Sequence, residues 1–225
     1  MDITVDATVA STRQTAVSSI TLAMTVGTLV NGALVVGSSI RNSGAFATVT
    51  GVTWNGTALT LAKRQDGPAA SRHVTAELWY LLAPAPGTFN IVVTYSGTTT
   101  DAGIGGLSVS GVDQTNPIDA TAGAAFLDAT PIETTITTVA DRAFVVNCMY
   151  TSDSAAVSPT QGETAFYNIN FVDQAAGAYK GPLTPAGSKT TGWSGALQDT
   201  ALAVISLKPA PLANPLPLLG VGRAA

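Results

Sequence analysis

The chain has little of what protein chemistry usually draws on. It holds one cysteine, Cys148, and one histidine, His73. A lone cysteine excludes an intramolecular disulfide framework, and one Cys with one His falls short of a Cys/His zinc site, which takes about four ligands. Charged residues are 11% of 225, against about 25% in an ordinary globular domain. The formal net charge is −4, which gives no basic face for nucleic acid. Low charge beside 46% apolar residues is the reverse of a disordered composition. Long apolar runs are missing too. The uncharged stretch 14–40 is broken by Ser18, Ser19, Thr21, Thr25, Thr28 and Asn31, whereas a spanning helix needs about 20 predominantly apolar residues in succession. The start, Met1 to Asp6, is acidic and alternating, and lacks the basic-then-apolar pattern of a secretory signal. No membrane partner is expected.

What is present is 32 Thr, 16 Ser and 22 Gly, arranged with a period of two and almost no helical periodicity. The sharpest unit is 49–64. Asn55-Gly56 lies between two alternating runs, the strongest short-range hairpin signal. A two-residue turn there pairs Trp54 with Thr57, Val52 with Leu59 and Thr50 with Leu61, placing Val52, Trp54, Leu59 and Leu61 on one face. Further strands are expected at 3–9, 17–26, 33–40, 73–82, 89–96, 103–112, 132–139, 143–151, 164–172, 188–197 and 200–208. The run 103–112 is rich in glycine, which suggests a bulge or a close overlay. Ala143 to Tyr150 is apolar on both faces, as a central strand requires. About a dozen short strands separated by turns predict an all-β fold, an antiparallel β-sandwich of jelly-roll-like or immunoglobulin-like topology. One sandwich domain is expected over 1–208. The second half repeats the style of the first without an obvious sequence repeat.

Candidate chemistry is thin. On the strand 73–82, His73, Thr75, Glu77 and Trp79 alternate on one face, but His73 and Glu77 stand about 13 Å apart along it. That is too far for a catalytic pair, and the group reads as a polar outer stripe. No Gly-x-Ser-x-Gly elbow occurs, and Gly192-Trp193-Ser194-Gly195 reads as a turn into the last strand. Most of the acids, Asp101, Asp173 and Asp199 among them, fall in expected turns, where Asp bonds locally. Cys148 reads as a small buried hydrophobe. No catalytic residue, metal site or cofactor is expected. Trp79 is the best exposed aromatic and the one ligand-facing candidate.

The end differs from the rest. Residues 209–225 hold four of the twelve prolines with Leu212, Leu216, Leu218, Leu219 and Val221. Alternate prolines favour an extended arm, and the leucines make it a candidate for docking on a neighbouring subunit.

Five landmarks occur in order: Val52-Thr53-Trp54-Asn55-Gly56-Thr57-Ala58-Leu59, Glu77-Leu78-Trp79-Tyr80-Leu81-Leu82-Ala83-Pro84, Gly87-Thr88-Phe89-Asn90-Ile91-Val92-Val93, Gly111-Val112-Asp113-Gln114-Thr115-Asn116-Pro117 and Ala203-Val204-Ile205-Ser206-Leu207-Lys208-Pro209. The order resembles a family of β-sandwich modules found in bacteriophage virion proteins and bacterial surface proteins, over about residues 15–209. The resemblance implies binding or scaffold roles and supplies no catalytic residues. Without a signal or anchor in the sequence, the expectation is a virion structural protein, decorating the capsid or sitting on the tail. Its partners would be other virion proteins and further copies of itself. The alternative is a secreted or surface carbohydrate-binding or adhesion module, with a host glycan held at Trp79.

Overall fold

The computed structural model describes residues 1–68, 72–170, 172–195 and 198–212. These form strands and turns only. The first half contributes β1 (Thr4–Ala10), β2 (Gln14–Thr15), β3 (Ser19–Val26), β4 (Ala33–Asn42), β5 (Val49–Trp54), β6 (Thr57–Ala58), β7 (Thr60–Asp66), β8 (His73–Leu82), β9 (Gly87–Tyr95) and β10 (Asp101–Ser110). The second contributes β11 (Ile118–Phe126), β12 (Ile132–Thr138), β13 (Ala143–Thr151), β14 (Thr164–Asn170), β15 (Gln174–Leu183), β16 (Gly187–Trp193) and β17 (Thr200–Leu207). Every pairing is antiparallel, and the architecture is an all-β sandwich, as the alternation predicts.

The sandwich has four layers rather than two. One large sheet runs β1-β10-β4-β8-β7, with β2 at the end of β10, and a second runs β11-β17-β13-β15-β14. These two pack face to face around Val35, Val74, Leu78, Val146, Tyr150 and Ile205. On its other face the first large sheet is covered by β3-β9-β5-β6, around Leu34, Val36, Trp54, Ile91 and Val93. The other face of the second is covered by β12-β16, around Val145, Met149, Ile136, Trp193 and Leu202. The central strands of both inner sheets, β4, β10, β13 and β17, are therefore buried on both faces, which is why Ala33 to Val36 and Ala143 to Val146 are continuous apolar runs.

The halves share one topology. The strand order of the first large sheet becomes that of the second when β1, β4, β7, β8 and β10 are replaced by β11, β13, β14, β15 and β17. The pair β3-β9 corresponds to β12-β16. Packing between halves is reciprocal: β1 lies against β14 and β11 against β7, β8 against β17 and β10 against β15, while β4 meets β13. A pseudo-twofold relation of this kind is the isologous geometry of a dimer within one chain.

A shared side-chain device confirms the correspondence. Register shifts fall at Asp6 in β1 and at Asp119 in β11. The Asp6 carboxylate accepts the Ser108 hydroxyl on β10 at 2.8 Å and the Gly27 N–H beyond β3 at 3.0 Å. The Asp119 carboxylate accepts the Ser206 hydroxyl on β17 at 3.3 Å and the Val139 and Ala140 N–H groups beyond β12 at 2.9 and 2.8 Å. Each bulge thus aims one carboxylate at the exit of a covering-sheet strand, β3 in the first half and β12 in the second.

The glycines of β10 mark a close overlay. A Cβ on Gly105 would stand 2.2 Å from the Tyr167 ring, and one on Gly177 would meet the same ring at 2.2 Å. Tyr167 lies in that slot with its hydroxyl 2.8 Å from the Ser39 Oγ.

Three local expectations are corrected. The hairpin forms as read, with Asn55 and Gly56 both at positive φ, Thr53 opposite Ala58 and Trp54 opposite Thr57. Leu59 donates its N–H to Val52, but the chain then changes sheet, and Leu61 pairs with Trp79 instead of Thr50 and is 43% exposed. Gly192 and Trp193 belong to β16 rather than to a turn. Among the described residues seventeen strands replace about a dozen, and β11 and β15 stand outside the expected set because about half their residues are Ala and Gly, which carry little strand signal.

Candidate functional site

On β8 the stripe His73, Thr75, Glu77, Trp79 faces the β3-β9-β5-β6 sheet, not solvent. Trp79 is 9% exposed, and its indole N–H donates to Glu77 Oε2 at 2.9 Å. The expected exposed ring is therefore inside, because the face opposite Val74, Ala76 and Leu78 is also covered. Trp54 and Trp193 are buried as well, donating to the Ala85 carbonyl at 3.1 Å and to Asn147 Oδ1 at 2.9 Å. Glu77 is 1% exposed and also accepts the Val49 N–H at 3.0 Å, with Arg64 at 3.9 Å. Burial raises its pKa above the ordinary 4.5, against the opposing pull of the Val49 and Trp79 hydrogen bonds. His73 packs edge-on against Phe46, ring centroids 4.7 Å apart. Thr75, Glu77 and Trp79 lie inside the fold, and His73 is half-buried at the start of the strand. Cys148 is fully buried, and burial pushes its thiol up.

A second cluster joins the halves at one end of the stack. Asp173, fully buried, accepts from Arg41, from Arg72 at 3.0 Å and from the Tyr150 hydroxyl at 3.1 Å. Arg41 also reaches Asp101 at 3.3 Å, and Arg13 closes on the same Asp101. The Arg72 backbone N–H donates to Asp199 at 2.9 Å. Each acid has an arginine partner 88 to 132 residues away, so Asp101, Asp173 and Asp199 are not the local turn-makers that the sequence suggests. The Arg41–Asp173 pair spans the two halves. No spacing pattern announces it. The only sequence sign is an acid at the edge of each apolar run.

The third place is the root of the C-terminal segment. Beyond β17, Lys208 donates its N–H to the Pro117 carbonyl at 2.8 Å and its carbonyl accepts from Asp113 at 2.9 Å. Pro209 bridges Val112. The Ala210 N–H donates to Gly111 at 2.7 Å, and the Ala210 carbonyl accepts the amino group of Met1 at 3.0 Å. Asp113 accepts the Thr115 and Asn116 N–H groups at 2.9 and 3.1 Å, and these hold its carboxyl below the ordinary 3.8, with Lys208 at 3.2 Å adding to the effect. The inter-half connection, the N-terminus and the start of the C-terminal segment are thus tied at one point. Leu212 follows, 67% exposed. Leu216, Leu218, Leu219 and Val221, the other expected docking residues, lie outside the described residues.

Among the described residues no group of three or more His, Cys, Asp or Glu side chains could hold a metal ion. The concave surfaces are shallow and open. One, lined by Asn116, Ile118, Asp119, Val139, Ala140 and Lys208, lies beside the C-terminal root. No protein-family model, no curated protein and no solved structure matches the chain.

Proposed function

We propose that the chain is a structural component of a bacteriophage particle, a rigid body fixed to capsid or tail by protein–protein contacts. The observation that carries this reading is the anchored root of the C-terminal segment. The body commits its buried acids to internal partners, and the proline- and leucine-rich segment, which carries Arg223 as its one charged side chain, departs from a point tied by four backbone hydrogen bonds. A fixed departure point makes an attachment arm directional. The charge-poor surface supports it further, since few charges need desolvating against a partner, and repetition on a particle turns weak contacts into avidity. The resemblance of the turn and strand landmarks to virion modules supplies the particle. The glycan-binding alternative loses its residue, because Trp79 lies in the core.

The test is particle composition. In gradient-purified particles from a producing strain, mass spectrometry finds the full chain, and a phage encoding the protein ended at Leu212 yields particles depleted of it. If the full chain is missing from particles, the virion reading is overturned. If the truncated chain enters at full occupancy, the arm is not the attachment device.

A further inference from the structure

The prolines after β17 are in phase. Pro209, Pro211, Pro215 and Pro217 are all odd-numbered. In an extended antiparallel strand, alternate residues direct both N–H and C=O to the same edge. Proline on every other position therefore silences one edge and leaves the other intact, the arrangement that confines proline to edge strands. The structure shows this phase already in use: the even residues Lys208 and Ala210 make the backbone hydrogen bonds, and Pro209 between them turns its missing donor away. Continued in phase, Leu212, Asn214, Leu216 and Leu218 keep donors and acceptors on a single edge. Their side chains also share one face, so three leucines stand together and the prolines stand opposite.

The second half offers an edge of matching kind. In the first half β9 is flanked by β5: Ser96 donates to Thr48 at 2.8 Å, Val49 pairs with Tyr95, and pairing continues to Trp54 opposite Ile91. The second half begins the same way, with Ser194 donating to Ser158 at 2.8 Å and Pro159 bridging Trp193. It then stops. The chain turns at Gly162, at a φ of 73°, and goes on to β14. Gly192 turns its carbonyl away from β12, where it accepts the Thr160 N–H at 3.1 Å. By alternation Thr190 and Ser188 face the same way, and no described strand pairs there. The open stretch Gly187 to Thr191 is about 17 Å long. β16 pairs with β12 without a register shift, so this edge is regular, unlike the bulged edge strands β1, β7, β11 and β14.

We propose that residues 212–218 of one copy add as a strand to the β16 edge of a second copy, occupying the position that β5 holds in the first half. The mode is strand addition, in which main-chain hydrogen bonds give affinity and alternate side chains give specificity. A second copy is the partner rather than the same chain. Alternate prolines favour an extended chain over one that folds back, and the last described residue, Leu212, is exposed. Head-to-tail addition of this kind is heterologous and builds rings or open arrays.

This goes beyond the virion reading and does not rest on it, because it is tested on purified protein with no particle present. Sedimentation of the full chain should show concentration-dependent self-association, and the chain ended at Leu212 should be monomeric. Ala213→Pro, which keeps the phase, should associate like the parent. Asn214→Pro, which breaks it, should be monomeric, and neither change touches the body. Thr190→Pro should also be monomeric with an unchanged melting temperature. Should that variant fail to fold, the truncated chain should bind a synthetic peptide of residues 209–221 and not the same peptide carrying Asn214→Pro. The inference is overturned by a full chain that is monomeric at every concentration, even if it still enters particles. It is equally overturned by association that survives truncation, by equal behaviour of the two proline variants, or by a folded Thr190→Pro protein that associates fully.

Discussion

Glu77 stands in the first-half core, facing two N–H donors and little else that is polar. Its alternation with His73, Thr75 and Trp79 is plain in the sequence, but alternation states only that four residues share a face. It does not state whether that face is wet. The answer came from β3, β9 and β5, which cover it, and the carboxylate then serves Val49 and Trp79. Burial sets the sign of its pH dependence. The folded-state pKa is raised above the ordinary 4.5, so the native state binds the proton more tightly than the unfolded chain. The stabilisation is complete below the unfolded value and is lost as pH rises through the folded one. Urea unfolding between pH 4 and 7 should therefore show the wild type losing ground steadily to Glu77→Gln, which has nothing to titrate. Parallel curves for the two proteins would remove Glu77 as the source.

The elements carry the internal repeat, and it is told by strand order and bulge position rather than by residue identity. Asp6 and Asp119 are the exception, since each sits at a register shift and reaches the turn beyond a covering-sheet strand, β3 or β12. Because Asp119 caps two backbone donors and Asp6 one, Asp119→Ala should cost about 1 to 2 kcal/mol and Asp6→Ala about 1 kcal/mol. Chemical denaturation of the two variants measures this, and equal stability to wild type at both sites would reduce the shared device to coincidence. The strands legible in advance were those with alternation or branched residues, such as β8 and β13, whose bounds agree with the reading. β11 and β15 were not legible, because Ala and Gly fit there only by virtue of close neighbours: Gly177 is required by the Tyr167 ring, and that ring arrives from another strand.

At the scale of the molecule, one large apolar interface and one ionic cluster make two sandwiches into a single body. Asp173, on the second half, neutralises Arg41 of the first and Arg72 beside it. Removing it leaves Arg41 with Asp101 and Arg72 with the Ser152 carbonyl. Asp173→Ala should cost about 2 to 3 kcal/mol, read as a lowered urea midpoint with both halves still unfolding together. A loss below about 1 kcal/mol would show that the hydrophobic interface alone couples them. The cluster could not be read in advance, because its members are brought together only by the packing of the two inner sheets.

The sequence by itself determined the all-β class, the Asn-Gly hairpin, the sparse charge and the in-phase prolines, since each depends on neighbours one to four residues away. Tertiary structure decided that there are four layers, that Trp79 and Glu77 lie inside, that the halves repeat, and that β16 has a free edge where β9 has none. Those depend on which face of a strand is covered, and the covering strands come from distant parts of the chain.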